Sequence, residues 1–156
     1  MMSVEQPNRV LVVDDDADVR GLLATILRQR SLAVDVAADG RQALDLLRER
    51  QYAVIILDIL MPVLNGFGVL DRLAADTSGV AASAPVVLVL TGADRITVDR
   101  LDAQRIHGIV RKPFDPEELA SLVAACAEIR GRGPLQAMAM AMIAGGPFLA
   151  WLSGKL

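Results

Sequence analysis

Aromatic side chains are scarce: three Phe, one Tyr and one Trp in 156 residues, so aliphatic packing must dominate any core. There is a single cysteine, Cys126, which excludes an internal disulfide and fits a reducing compartment. Positive charge is not in excess. The formal net charge of −3 offers no basic face, and direct nucleic-acid binding is therefore not expected. No apolar run precedes Arg9, so a secretory signal is not expected and the cytoplasm is the expected compartment.

What is present is 53% hydrophobic and 22% charged residues, a balance that favours a globular fold over disorder. The length suits one domain with a substantial core and a short appendage.

Three short apolar runs stand out: Val10-Leu11-Val12-Val13, Ala53-Val54-Ile55-Ile56-Leu57 and Val86-Val87-Leu88-Val89-Leu90. Runs of this kind read as strands covered on both faces, as in a parallel sheet. Leu32 to Ala37 and Ile106 to Val110 supply two more strands. Helical spacing falls between them. Val19, Leu22, Leu23, Ile26 and Leu27 share one face, with Asp16 as N-cap. Arg41 to Arg50, Phe67 to Ala75 and, more weakly, Ala93 to Ala103 follow. Pro116 opens a last helix carrying Leu119, Leu122, Val123 and Cys126, with Glu117 and Glu118 in its first turn. Five alternations of strand and helix predict one α/β domain, a parallel sheet with helices on both faces.

Ligand sites in such sheets lie at the carboxyl ends of the strands. Those ends carry Asp14 and Asp15, Asp58, Thr91 and Lys112. Crowded carboxylates repel at low dielectric, and a hard divalent cation relieves that cost; magnesium suits oxygen ligands. A lysine and a hydroxyl aimed at the same point would stabilise a phosphoryl group on one carboxylate. Each residue alone has a plainer reading as a turn former, cap or solvated loop residue. Their convergence on one sheet edge gives the functional reading its weight. Asp16 and Asp18 read as first-turn residues of the helix.

The segments VLVVDDD, IILDILMPVLNG, VLVLTG and VRKPF, in this order, resemble the signature segments of response-regulator receiver domains over residues 8–130. The resemblance implies a doubly wound, flavodoxin-like sheet in the order 2-1-3-4-5. It also implies a phosphorelay switch rather than a turnover enzyme. Asp58 would be the phosphoacceptor and Thr91 and Lys112 would contact the phosphoryl oxygens. Asp14, Asp15, Asp58 and the backbone carbonyl of Leu60 would hold Mg2+. The phosphoryl donor would be a phosphohistidine on a sensor histidine kinase or phosphotransfer protein.

The sequence departs from that pattern in places. Ile109 stands where the family often has an aromatic residue, which removes a ring from the switching step. Leu60 and Ala93 are apolar where a side chain could orient an attacking water, so slow autodephosphorylation is expected. His107 and Cys126 read as structural residues.

Two other functions compete. Asp14-x-Asp16 with Thr91 and Lys112 also suits an aspartate-nucleophile phosphohydrolase, with Asp14 as nucleophile and Asp16 as acid/base. That reading lacks a late acidic pair and leaves Asp58 without a role. The other is a phosphorylation-independent adaptor, dimeric or membrane-tethered. Residues 131–156 form an apolar C-terminal tail in which no output domain is expected. Its stretch 135–152 is apolar apart from Gln136 and is expected to mediate homodimer formation or membrane contact.

Overall fold

The computed structural model describes residues 8–61, 63–75, 85–92 and 106–130. Its elements run β1 (Arg9–Val13), α1 (Ala17–Gln29), β2 (Ala33–Ala37), α2 (Gly40–Glu49), β3 (Val54–Leu57), α3 (Gly66–Ala75), β4 (Val86–Thr91), β5 (Gly108–Arg111) and α4 (Pro116–Arg130). The helix expected over 93–103, the segment 76–84 and the tail from 131 lie outside the described residues.

All five strands are parallel and lie in the order β2-β1-β3-β4-β5, as the alternation of elements and the family resemblance together predicted. The three apolar runs occupy the centre of the sheet, where both faces are covered. Alternate side chains feed two cores. Val10 and Val12 join Leu23, Leu27, Leu119 and Val123 of α1 and α4. Leu11 and Val13 join Ala43, Leu44, Val69 and Leu70 of α2 and α3. Cys126 is 4% exposed within the first core, and burial pushes its thiol up to about 11, as expected for a packed side chain.

Short polar residues set the helix starts. Asp16 accepts from the N–H groups of Asp18 and Val19, so its carboxylate is committed as an N-cap rather than free for acid/base work. Asp39 caps α2 through Gln42 N–H, and Gln42 Oε1 accepts in return from Ala38 N–H. Asp115 caps α4. His107 precedes β5 by one residue. Its Nδ1 accepts the Val87 N–H at 3.0 Å, a structural task that agrees with the sequence reading.

A polar cluster near the opposite end of the sheet was not anticipated. Asp35 of β2 accepts from Tyr52 Oη at 2.8 Å, from Arg9 at 3.2 Å and from Arg50 at 3.1 Å. It ties the end of α2 and the approach to β3 to the first two strands. Burial pushes the Asp35 carboxyl up, but the Tyr52 hydrogen bond and the two guanidinium groups outweigh it and hold it below its ordinary value. A carboxyl lowered in the folded state stabilises above its unfolded value and loses that contribution as pH falls through the folded one. Asp35→Asn is expected to cost roughly 1–2 kcal/mol at neutral pH, towards the low end because Arg50 is half exposed. The deficit should shrink as both proteins are acidified below about pH 4. Urea titrations of the two proteins across pH decide it; a constant gap would refute the linkage.

Candidate functional site

The register of the sheet brings the candidate residues together. Val13 of β1 lies opposite Leu57 of β3, so the next residues, Asp14 and Asp58, emerge side by side. The rung between them is Asp58 N–H to Val13 C=O at 2.9 Å. On the other side Thr91 closes β4 opposite Arg111, and Lys112 follows, its N–H donating to Thr91 C=O at 2.9 Å. Strand endings that the sequence marked with polar residues thus converge on one edge.

Asp14, Asp58 and Thr91 are the buried polar residues of the described chain, 1%, 5% and 1% exposed. Asp15 is exposed at the rim. Carboxylate oxygens of Asp14, Asp15 and Asp58 lie within 4.8 Å of one another. Such crowding needs a counter-charge, and Lys112 supplies it: its Nζ lies 2.7 Å from Asp14 Oδ2 and 3.3 Å from Asp58 Oδ2. The second oxygens are held by backbone, Asp14 Oδ1 by Asp16 N–H at 2.9 Å and Asp58 Oδ1 by Leu60 N–H at 3.2 Å.

The electrostatics follow from this packing. Burial raises the Asp58 carboxyl; Lys112 draws it down and Asp14 pushes it up again, leaving it above its ordinary value. Burial lowers the Lys112 ammonium, but its hydrogen bond to Asp14 and the Asp58 charge outweigh that and hold it above its ordinary value. The pocket therefore contains a strongly held cation and an anion that gains from any further positive charge. Three hard oxygen donors at this spacing fit a divalent ion such as magnesium. Leu60, the expected carbonyl ligand, follows Asp58 by two residues and exposes its side chain (56%). Ala93 lies outside the described residues, and Ile109 packs half-buried against the α2/α3 core.

Two residues of the site escaped the sequence reading. Arg20 of α1 donates from Nη1 to the Asp14 carbonyl at 2.7 Å. Gly66, legible only as part of a turn, packs against the acceptor loop. Its N–H donates to Ile59 C=O at 2.9 Å, and a Cβ there would stand 2.6 Å from Asp58 O and 2.8 Å from Ile59 Cα. Ile59 Cδ1 would stand as close, at 2.8 Å, but the other two obstructing atoms are backbone, so a rotamer change alone cannot relieve the overlap. Gly66→Ala is expected to destabilise by about 1–3 kcal/mol, the usual cost of overpacking. Chemical denaturation measures it; wild-type stability would show that the loop yields freely.

Residues 10–124 match the family described as "Response regulator receiver domain". Over 117 residues the chain is 37% identical to the DNA-binding response regulator MtrA of Mycolicibacterium paratuberculosis, covering 75% of this chain and 50% of that protein. It is similar to the solved receiver domain of the Francisella response regulator 1452, with 27% identity, a TM-score of 0.68, and coverage of 78% and 97% of the two chains. It is also similar to response regulator protein TrrA from Thermotoga maritima, solved in complex with Mg2+–BeF. There the identity is 28%, the TM-score 0.65 and the coverage 76% and 98%. The chain spans about half the length of the curated relatives it matches. One expectation is thereby corrected. The exclusion of direct nucleic-acid binding rested on the charge of these 156 residues, yet relatives alike over this stretch are named as DNA-binding and extend well beyond it. The charge of one part of such a protein does not speak for the rest.

Proposed function

The chain belongs to the response regulator receiver domain family of two-component signalling, and on that premise we propose that it is a phosphoryl-accepting switch with Asp58 as acceptor. Receiver domains are signalling switches rather than turnover enzymes. The observation that carries the finer reading is the Lys112 bridge, with one ammonium on both buried carboxylates at the edge where β1, β3, β4 and β5 end.

A phosphohistidine of a sensor kinase or phosphotransfer protein is the donor. An Asp58 carboxylate oxygen attacks phosphorus, the P–N bond breaks, and the imidazole leaves with that electron pair. The chain contributes position and charge. Lys112, already 3.3 Å from Asp58 Oδ2, shifts its contact to a phosphoryl oxygen as negative charge moves outward. The Thr91 hydroxyl, at the end of β4, donates to another. Asp14, Asp15, Asp58 and the Leu60 carbonyl would hold magnesium, which when bound supplies positive charge against the phosphoryl oxygens. Leu60 cannot orient a hydrolytic water, which favours a long-lived acyl phosphate.

Intact-protein mass spectrometry after incubation with acetyl phosphate and magnesium tests the reading. One phosphoryl group per chain, dependent on magnesium, mapping to the Asp58 peptide and persisting well beyond seconds, is expected. No adduct at any magnesium concentration, or an adduct on Asp14 instead, would overturn it.

A further inference from the structure

We infer that Arg20 is a positioning residue for the metal-binding pair Asp14-Asp15, acting through the peptide that joins them; the inference rests on the magnesium site proposed above. The β1–β3 ladder ends at Val13, whose carbonyl takes the Asp58 N–H. The Asp14 N–H still reaches Ala37 O at 3.2 Å. The Asp14 carbonyl lies one residue past the last β1–β3 rung, and a carbonyl at such a depth needs a donor. Arg20 supplies it from the first turns of α1, at 2.7 Å.

The consequence reaches Asp15. Its N–H and the Asp14 C=O belong to one planar peptide unit. A bond that fixes the carbonyl fixes that plane, and with it the direction in which the Asp15 side chain leaves the chain. Asp14 is held in three further ways, by Ala37, Asp16 and Lys112. Among the described residues the Asp15 carboxylate has no hydrogen-bond partner, although it stands within 4.8 Å of the other two. Its aim is therefore set by backbone, and Arg20 is the side chain that sets the backbone. A guanidinium suits the task because its planar fork is pre-organised and always charged. The helix start is anchored to the same turn, since Arg20 N–H donates to Asp16 O at 3.0 Å. Strand end, turn and helix form one closed unit around the pair.

A matched control exists on the same helix. Arg28 makes the same kind of bond, from Nη2 to Val34 O at 3.0 Å, but near the other end of α1. If clamping a carbonyl were merely structural, the two arginines would behave alike.

The test is isothermal titration of magnesium chloride into wild type, Arg20→Met, Arg20→Gln and Arg28→Met, with each protein's urea midpoint measured in EDTA. Arg20→Met is expected to weaken magnesium binding by roughly 10–100-fold, the range for groups that orient metal ligands. Arg28→Met should lower the urea midpoint while leaving magnesium affinity at the wild-type value. Should Arg20→Met fail to fold, Arg20→Gln, too short to span the gap, decides by the same reading. Equal affinity in wild type and the folded Arg20 variant overturns the clamp and leaves the metal site standing. No magnesium binding by wild type overturns both. Equal loss of affinity in the Arg20 and Arg28 variants also overturns the inference, by making the effect one of general helix stability.

Discussion

Asp58→Asn is expected to abolish phosphoryl uptake and, in magnesium-free buffer, to make the protein more stable than wild type. The first effect follows because an amide has no anionic oxygen to attack phosphorus. The second follows from the pocket. Three carboxylates lie within 4.8 Å, two of them buried, with one ammonium between them. Burial and Asp14 hold the Asp58 carboxyl above its ordinary value despite Lys112. A carboxyl raised in the folded state contributes stability that is complete below its unfolded value and is lost as pH rises through the folded one. At neutral pH the ionised form is thus a burden, and an isosteric amide removes it. Asn retains the acceptor for the Leu60 N–H. The gain should be roughly 0.5–2 kcal/mol, the usual yield of a single stabilising substitution. Magnesium should reverse the order. Ligand that binds the folded state at a hundred times its Kd adds about 2.7 kcal/mol, and wild type receives more of that than the variant. Melting curves of the two proteins with and without magnesium should cross. If the variant is less stable in both conditions, the crowding argument fails.

Lys112→Met should act in the opposite direction. It leaves Asp14 and Asp58 facing each other with no cation. Removing one partner of a buried ion pair costs about 3–5 kcal/mol because the remaining charge is stranded. Lys112 is itself about a quarter exposed, so roughly 2–4 kcal/mol is the appropriate expectation. Magnesium should restore part of the loss, and so should combining the change with Asp58→Asn, which removes one stranded charge. A double variant no better than the sum of the two singles would show that the groups do not communicate. Urea unfolding in EDTA is the measurement, and a loss under about 0.5 kcal/mol, an ordinary surface effect, would remove Lys112 from the centre of the site.

The legible part of this protein is its sheet. Val10–Val13, Val54–Leu57 and Val87–Leu90 are continuous apolar runs because both their faces are covered, and such runs stop where the chain leaves the core. Polar residues at those stops therefore announce the pocket, and Asp14, Asp58 and Thr91 were readable for that reason, while Lys112 was readable from the end of the shorter fifth strand. Helix starts were readable to within a residue where a short polar cap preceded apolar spacing, as at Asp16. What could not be read depends on distance in the chain and not on period. Arg20 meets a carbonyl six residues back, and no pattern in the sequence marks that choice. The Asp35 cluster joins residues 15 to 26 apart, each of which alone looks like an ordinary surface group. Gly66 looked like turn punctuation, and its close approach to Asp58 O appears only when α3 is laid against β3. Net charge was uninformative for a different reason: it belongs to one stretch of chain, and the DNA-binding relatives extend well beyond that stretch.

The sheet also acts as a partition. Val10 and Val12 belong to the α1/α4 core, Leu11 and Val13 to the α2/α3 core, and the two share little more than strand backbone. Among the described residues, side chains on opposite sides have no packing partners in common, so the effects of substituting them should be close to independent. Evolution can then remodel one pair of helices for a new partner while the other pair keeps its packing. The acidic edge where both compartments meet is the place at which the two histories must agree.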